Sequence, residues 1–212
     1  MPDVLNPQKA LIFRATHRDN LPWILEHGLH AQNGDLSDPN FQNIGNRELI
    51  ARRTTRSVPI APEGTLSDYI PFYFTPWSMM LYNIYTGHNV TRVPNEEIVF
   101  LISSLRRIAE LSIPFVFTDQ HAFLRTTSFS DDLRTLDQLA WALWNQRDFK
   151  HDSNDPGKTD RYQAEALVWK HVPIEALLGI VSYNEEVDSW LQAESRRCNR
   201  QVDIRVQKGW YF

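Results

Sequence analysis

Residues 160–169 read Asp160-Arg161-Tyr162-Gln163-Ala164-Glu165-Ala166-Leu167-Val168-Trp169, and the rest of the chain is organised around them. The first four residues are polar and charged and predict a loop, whereas the apolar residues that follow predict a short strand. Glu165 stands where the two meet. A carboxylate in that place is either a solvated residue at the edge of a sheet or a chemical group held on a rigid element. The segment alone favours the solvated edge residue.

The bulk composition is that of an ordinary globular protein. The chain has 212 residues, 42% of them hydrophobic and 23% charged, which suits one large domain or two small ones. No apolar run approaches the roughly 20 residues that a membrane span needs, and residues 1–6 lack the pattern of a signal peptide. The single Cys198 cannot form an internal disulfide, which fits a reducing compartment. We therefore expect a cytoplasmic protein without membrane association.

The charge pattern points to local rather than general contact with nucleic acid. The net charge of -4 argues against a basic protein that coats nucleic acid. However, 17 of the 22 basic residues are Arg, and the chain contains seven Trp. Arg binds phosphate with two parallel hydrogen bonds and stacks on planar rings, so a nucleotide or a single strand is a suitable ligand. A GC-rich genome explains the Arg bias equally well.

Hydrophobic patterning predicts strands and helices that alternate along the chain, with no repeat and no linker. Predicted strands cover residues 11–17, 69–75, 97–102, 115–118, 164–169, 179–183 and 202–206. Predicted helices cover residues 21–27, 47–53, 78–85, 104–111, 136–144 and 185–197, and another begins at Pro173. The segments 31–46 and 145–160 are long loops, which in compact domains are usually functional or disordered. We therefore expect a single α+β domain over residues 1–212.

Several common catalytic sites are absent from the sequence. It contains no G-x-S-x-G, no P-loop, no G-x-G-x-x-G and no C-x-x-C motif. Cys198 lies among arginines, but an exposed thiol at a helix end is the simpler interpretation. Glu26, His27 and His30 are potential metal ligands. The two histidines flank the helix-ending Gly28 and no third ligand has a suitable spacing, so surface histidines are favoured and no metal is expected.

Polar residues on three predicted strands suggest a shared cleft. Each of these side chains needs a partner or a cleft to face. They are Arg14 or Thr16 on the first strand, Tyr73 between two phenylalanines, and Glu165. This set contains no nucleophile and no phosphate loop. It suits a reaction that requires a positioned cofactor and one carboxylate.

A second combination of acidic residues and histidine follows the fourth predicted strand. His121 comes two residues after Asp119, with Asp131 and Asp132 further on. Such residues can form an acid–base pair near neutral pH. Solvated loop side chains are an equally good interpretation.

Four motifs in order resemble those of the DarT toxins, which are DNA ADP-ribosyltransferases of bacterial toxin–antitoxin systems. The motifs are Phe13-Arg14-Ala15-Thr16-His17-x-Asp19-Asn20-Leu21, Asp68-Tyr69-Ile70-Pro71-Phe72-Tyr73-Phe74-Thr75-Pro76, Phe115-Val116-Phe117-Thr118-Asp119-x-His121-Ala122 and Arg161-x-Gln163-Ala164-Glu165. The resemblance extends over about residues 10–183. It implies an ADP-ribosyltransferase-like fold, in which a split, bent β-sheet with surrounding helices forms a cleft for NAD.

The same resemblance implies a reaction and partners. ADP-ribose would pass from NAD to a base of single-stranded DNA in a sequence-specific manner, with release of nicotinamide. Thymine is the usual acceptor, and one branch of the family uses guanine. The implied protein partner is a DarG-type macrodomain antitoxin, and we expect the chain itself to be a monomer.

Roles are carried over residue by residue from the resemblance. Glu165 is the expected catalytic residue, and either Arg52 or Arg53 is the arginine of an NAD-binding segment at about residues 31–57. Expected cofactor contacts are Arg14, Ala15, Thr16, His17 and Tyr73. Arg14 stands where many transferases of this fold have His, as in the arginine-containing class.

The substrate-presenting loop is expected at about residues 119–165. Its expected contacts with DNA are His121, Arg125, Arg147, Arg161 and Tyr162, with Trp144, Phe149 and Lys150 as further candidates. Two alternatives stay open at this point. One is an ADP-ribosyltransferase or NAD glycohydrolase that acts on protein or RNA, and the other is a non-catalytic nucleic-acid-binding module.

Overall fold

A computed structural model describes residues 5–150 and 152–212. The described residues form an α+β fold with helices around one large sheet. The strands are β1 (Leu11–His17), β2 (Leu29–His30), β3 (Tyr69–Tyr73), β4 (Ile98–Ser104), β5 (Phe115–His121), β6 (Phe129–Ser130), β7 (Ala164–Trp169), β8 (His171–Val172), β9 (Gly179–Ser182) and β10 (Ile204–Val206). The α-helices are α1 (Leu21–His27), α2 (Arg47–Arg52), α3 (Met79–Thr86), α4 (Leu105–Glu110), α5 (Trp141–Gln146), α6 (Lys158–Arg161) and α7 (Glu185–Arg197).

The large sheet has the strand order β10-β9-β4-β1-β3-β7-β5-β6. Strand β1 pairs with β4 along its whole length, from Leu11 opposite Ser104 to His17 opposite Ile98. Its other edge meets β3 only at Phe13 opposite Tyr73. The sheet therefore splits between β1 and β3 into two halves, as the sequence resemblance predicts, and a cleft opens along the split.

The core lies on both sides of the first half of the sheet. Every residue of β4 is buried, as expected for a nearly continuous apolar strand that is covered on both faces. Helix α7 is amphipathic, and Asn184 caps it by accepting a hydrogen bond from the backbone N–H of Val187. Helix α1 ends at Gly28, where φ is +80° and a Cβ atom would come within 2.5 Å of the Val172 carbonyl oxygen.

A smaller apolar cluster covers the second half of the sheet and fixes the chain that follows α2. Val58 and Leu66 are buried there against Val116 of β5 and Leu167 of β7. This packing holds the segment after α2 beside the two strands that carry His121 and Glu165.

Three predictions of local structure are wrong, and one concerns the opening stretch. Residues 160–163, predicted as loop, belong partly to helix α6, whose first residue Lys158 is buried and paired with Asp148 at 2.6 Å. The predicted helix 136–144 is a 3-10 segment, Leu133–Gln138, followed by α5. The helix expected at Pro173 is only the 3-10 turn Ile174–Ala176.

The predicted loop of about residues 119–165 is also not one loop. It contains the end of β5, strand β6, and helices α5 and α6. By contrast, β1, α1 and α7 have the predicted bounds. Within the described residues, no helix is long and apolar enough to cross a membrane.

Candidate active site

A cavity of about 500 Å³ lies at the split between the two halves of the sheet. Its strand wall consists of side chains from β1, β3 and β7, and its loop wall consists of residues 36–46 with the adjoining face of α2. This volume is within the usual range for a small-molecule or cofactor site. The polar strand residues that the sequence places in a shared cleft, Arg14, Thr16, Tyr73 and Glu165, all line it.

Glu165 is 1% exposed and is bound from three directions. Arg53 Nη1 donates to its Oε2 at 2.9 Å, and the backbone N–H of Ala122 donates to its Oε1 at 3.3 Å. His121 Nδ1 lies 3.4 Å from Oε1. The backbone N–H of Glu165 donates to Thr118 Oγ1 at 2.9 Å, which fixes the strand itself.

These contacts keep the Glu165 carboxylate ionised. Burial would raise the pKa of Glu165, but Arg53 and the hydrogen bond from His121 outweigh burial and lower it to about 2. A buried carboxylate held charged on a strand is a preorganised source of negative potential. It can stabilise positive charge that develops on a bound substrate.

Arg53 reaches Glu165 from the 3-10 turn that directly follows α2. Asn46 caps α2 by accepting a hydrogen bond from the Leu49 backbone N–H. Arg56, three residues later, donates through Nη2 to the Leu124 carbonyl oxygen at 2.8 Å, which ties the turn to the end of β5. Arg53 Nη2 is buried and has no hydrogen-bond partner among residues 5–150 and 152–212.

Arg14 supplies a second guanidinium beside the first. Its Nη1 donates to the Pro71 carbonyl oxygen at 2.9 Å, while its buried Nε has no partner in the described part of the chain. Burial and the neighbouring Arg53 lower the pKa of Arg14 to about 10, so it stays cationic at neutral pH. Burial and the nearby Glu165 raise the pKa of Tyr73, whose phenol therefore stays neutral. The cavity thus offers buried N–H donors suited to an anionic group such as a pyrophosphate.

One end of the loop wall is held by Asn20, which is fully buried. Its Nδ2 donates to Thr16 Oγ1 at 2.9 Å and to the Gln42 carbonyl oxygen at 3.0 Å. Its Oδ1 accepts from the Gln42 backbone N–H at 2.7 Å. One amide therefore joins the loop to the hydroxyl of β1. Asn20 belongs to the first of the four motifs, and the resemblance assigns no role to it.

The other end of the loop wall is held by an ionic contact. Lys170 Nζ donates to Asp68 Oδ1 at 2.6 Å and to the Asn33 carbonyl oxygen at 2.9 Å. Burial would raise the pKa of Asp68, but the hydrogen bonds from Lys170 and Thr65 outweigh burial and lower that pKa to about 2. Between the two anchors the loop is open, and Leu36 and Phe41 are each at least 43% exposed.

The structure separates the residues that the resemblance grouped together. Arg53, Ala15 and His121 line the cavity with the polar strand residues, but Arg52 does not. The Arg52 guanidinium instead lies 4.4 Å from the centre of the Phe123 ring. His17 is also outside the cavity lining, because its imidazole lies 3.1 Å from Glu97 and accepts from the Asp19 N–H.

The expected DNA contacts are dispersed, and Tyr162 contradicts the prediction. Tyr162 is 1% exposed and donates to the Leu143 carbonyl oxygen, so it has no face free to stack on a base. Trp144 is equally buried. Arg147 stacks on Trp77 at 3.5 Å, and Arg161 is paired with Asp155. Arg125 and Lys150 are exposed, and their contact with DNA stays a prediction. Phe149 packs on Tyr162.

The alternative sites considered from the sequence do not form. His30 stacks on His171 and His27 stacks on Trp23. No group of three or more His, Cys, Asp or Glu side chains in the described ranges could hold a metal ion. Burial raises the pKa of Cys198, which disfavours a thiolate.

The proposed acid–base pair of Asp119 and His121 is not formed either. Asp119 accepts from the Ser128 N–H, and Asp132 is paired with Arg134. His121 neighbours Glu165 instead.

Comparison with known proteins gives a consistent result over the whole length of the chain. Residues 13–212 match the family model described as "ssDNA thymidine ADP-ribosyltransferase, DarT". A DNA ADP-ribosyl transferase from Escherichia coli O127:H6 is 51% identical over 209 residues, which cover 98% of this chain and 96% of the relative.

Two solved structures of a Thermus sp. 2.9 protein are similar to this fold. DarT in complex with ADP-ribosylated single-stranded DNA superposes with a TM-score of 0.88 at 33% identity, covering 97% of this chain and 98% of the other. The same protein in complex with NAD+ superposes with a TM-score of 0.83 at 33% identity, covering 97% of this chain and 99% of the other.

Proposed function

The chain belongs to the DarT family, and from this premise we propose that Glu165 and Arg53 form the centre at which it transfers ADP-ribose from NAD to a thymine of single-stranded DNA. The observation that carries the proposal is the ionised, buried Glu165 bound to Arg53 inside a cavity of cofactor size. Two structures of the Thermus relative support it, since that protein is in complex with NAD+ in one and with ADP-ribosylated single-stranded DNA in the other.

The cavity residues fit a dinucleotide substrate. The Arg14 Nε and Arg53 Nη2 N–H groups are buried and lack partners within the described residues, although such groups are normally satisfied. A pyrophosphate would satisfy both with charge-assisted hydrogen bonds. We assign Arg14, Ala15, Thr16 and Tyr73 to NAD binding on this basis, and we assign no such contact to His17.

Glu165 acts on the bond that breaks. When nicotinamide leaves with the electron pair of the glycosidic bond, positive charge develops on the ribose, and a fixed carboxylate lowers the energy of that state. Because the pKa of Glu165 is about 2, the carboxylate is a weak proton acceptor in the free protein. Its electrostatic role therefore has stronger support than a role as general base. His121, whose Nδ1 lies 3.4 Å from Glu165 Oε1, is the other candidate for the proton acceptor.

A single strand suits this arrangement because the acceptor base must leave its stack to reach the cavity. Extrusion from a duplex costs a few kcal/mol, whereas a single-stranded base is already accessible. Thymine is proposed rather than guanine because the matching family model is described by thymidine.

Mass spectrometry of oligonucleotides tests the proposal. The protein is incubated with NAD and single strands that contain only thymine, or guanine without thymine. We expect one added ADP-ribose on the thymine strand and loss of the product in Glu165→Ala. Modification of the guanine strand alone would contradict the thymine assignment. Nicotinamide release without any modified strand would instead indicate an NAD glycohydrolase.

Two further expectations of the family resemblance remain predictions. A DarG-type macrodomain antitoxin is the proposed protein partner, which co-purification with an adjacently encoded macrodomain protein would test. A cytoplasmic location is proposed as well, in keeping with a DNA substrate, and cell fractionation would test it.

A further inference from the structure

An arginine and a phenylalanine form a stacked pair at the rim of the cavity. The Arg52 guanidinium lies 4.4 Å from the centre of the Phe123 ring. Phe123 lines the cavity, whereas Arg52 is exposed. The next residue along the chain, Arg53, binds Glu165. The pair therefore stands beside the proposed catalytic centre and faces outward.

The pair is held in place from below. Arg56 donates to the Ala122 carbonyl oxygen at 3.4 Å and to that of Leu124 at 2.8 Å, one residue on either side of Phe123. The Phe123 ring also packs against the smaller apolar cluster, which contains Val58 and Ala122. These contacts fix the ring that supports Arg52.

The chemistry of this surface suits a nucleobase. A guanidinium that stacks on a ring by one face offers its other planar face to solvent, and bases stack on such planes without regard to sequence. Within residues 5–150 and 152–212 the Arg52 guanidinium makes no hydrogen bond or ion pair, and its contact is the one with the Phe123 ring. The exposed Arg125, two residues after Phe123, adds a second cation for the phosphate backbone.

We propose that Arg52 on Phe123 is a stacking platform for the nucleobase directly adjacent to the acceptor thymine. This inference rests on the proposed function and extends it, because it assigns a DNA-binding site to a residue pair at the rim of the NAD cavity, where Phe123 belongs to the lining and Arg52 does not. The bound strand places one base in the cavity at Glu165 and its neighbour on the Arg52 guanidinium. Arg52 thereby contributes to DNA binding and not to the glycosidic chemistry.

The test separates stacking from charge. Arg52→Ala removes both, Arg52→Lys keeps the charge, and Arg205→Ala on β10 removes an equal charge at the far edge of the sheet. We expect the KM for a thymine oligonucleotide to rise about tenfold in both Arg52 variants, as loss of one stacked base predicts. The KM for NAD should stay within about twofold, because Arg52 does not line the cavity. Only Arg52→Ala should also reduce the slope of log DNA affinity against log salt concentration, by roughly the amount that one phosphate contact contributes.

Abasic oligonucleotides identify the base concerned. Two strands are compared, one lacking the base on the 5′ side of the acceptor and one lacking it on the 3′ side. For one of the two abasic strands, the affinity of the wild type should fall by about as much as Arg52→Ala lowers the affinity for the intact strand. The affinity of Arg52→Ala should be the same for that abasic strand and for the intact strand. Phe123→Leu should raise the KM for DNA as Arg52→Lys does, and its melting temperature is measured in parallel.

Two results overturn the inference. One is a KM for DNA in Arg52→Lys equal to that of the wild type, which would show that Arg52 contributes only its charge. The other is an equal effect of Arg52→Ala on both abasic strands. Either can occur while the wild type modifies thymine normally, so failure of the platform differs from failure of the proposed function, in which no strand is modified.

Discussion

The two walls of the cavity are built in opposite ways. The strand wall consists of β1, β3 and β7, and each strand is paired along its length with a neighbour, β1 with β4 and β3 with β7. Its carboxylate, Glu165, is 1% exposed. The loop wall lacks regular structure from Leu36 to Gly45 and exposes apolar side chains to solvent. It is held at one end by Asn20 and at the other by Lys170.

This contrast assigns different tasks to the two walls. Electrostatic stabilisation requires groups that do not reorganise during the reaction, and a buried strand meets that requirement. Entry of a dinucleotide requires a boundary that opens at low free-energy cost, and a loop with few buried contacts meets it. Changes on the strand wall should therefore act on kcat, and changes on the loop wall should act on the KM for NAD.

The largest expected effect is on kcat, from Arg53→Lys. Lysine keeps the charge, but its compact ammonium lacks the planar fork in which one guanidinium nitrogen binds Glu165 while another points to the substrate. Loss of one preorganised donor lowers kcat by roughly 100- to 1,000-fold, with the KM for NAD changed much less. Steady-state rates of oligonucleotide modification measure this. Arg53 extends from the turn after α2 and acts with the strand wall through its bond to Glu165. A rise in the KM for NAD at unchanged kcat would break the comparison, because Arg53 would then act with the loop wall instead.

The second prediction concerns the pH dependence of stability. The pKa of Glu165 is lowered from 4.5 to about 2, so its contribution is fully present above pH 4.5 and is lost as the pH falls towards 2. This contribution is on the order of 3 kcal/mol of unfolding free energy. Denaturant unfolding from pH 6 to 2 should show that loss in the wild type but not in Glu165→Gln. Parallel curves for the two proteins would show that the carboxylate is not held by Arg53 and His121.

The smallest expected effect is on the KM for NAD, from Asn20→Ala. The substitution releases Gln42 and Thr16, and we expect the KM for NAD to rise about tenfold with kcat at saturating NAD nearly unchanged, as for loss of uniform binding. Asn145→Ala is a matched control, because Asn145 makes the same pair of bonds to the backbone N–H and carbonyl of Leu5.

Both asparagine substitutions should cost similar stability, since each removes buried or half-buried hydrogen bonds of the same type. Only Asn20→Ala should raise the KM for NAD. Equal kinetic effects in the two variants would show that Asn20 acts through global stability rather than through the loop wall.

The sequence predicts the elements whose periodicity is strong. Strand β1 and helices α1 and α7 have the expected bounds, because their apolar spacing and their caps, such as Asn184 and Gly28, are local signals. Alternation around Tyr73 correctly places Phe72 and Phe74 in the core and Tyr73 in the cavity. Where the signals are local, pattern and structure agree.

The wrong prediction for Tyr162 and the open choice between Arg52 and Arg53 both concern residues whose environment is set by distant parts of the chain. Tyr162 stands in a polar stretch, yet Leu143 and Phe149 bury it. Arg52 and Arg53 are adjacent and chemically identical, so only the position of Glu165 distinguishes them. The resemblance to a family narrows such choices, but the geometry of a fold decides them.

The pairing of Arg53 with Glu165 has a consequence for how the protein is made. The two residues are 112 positions apart in the chain. At about 5–20 residues per second, a ribosome needs roughly 6–22 seconds to synthesise that interval. Throughout this time β3 lacks its neighbour β7, and the cavity has no carboxylate. Under the proposed role of Glu165, a nascent chain that ends before this residue cannot modify DNA.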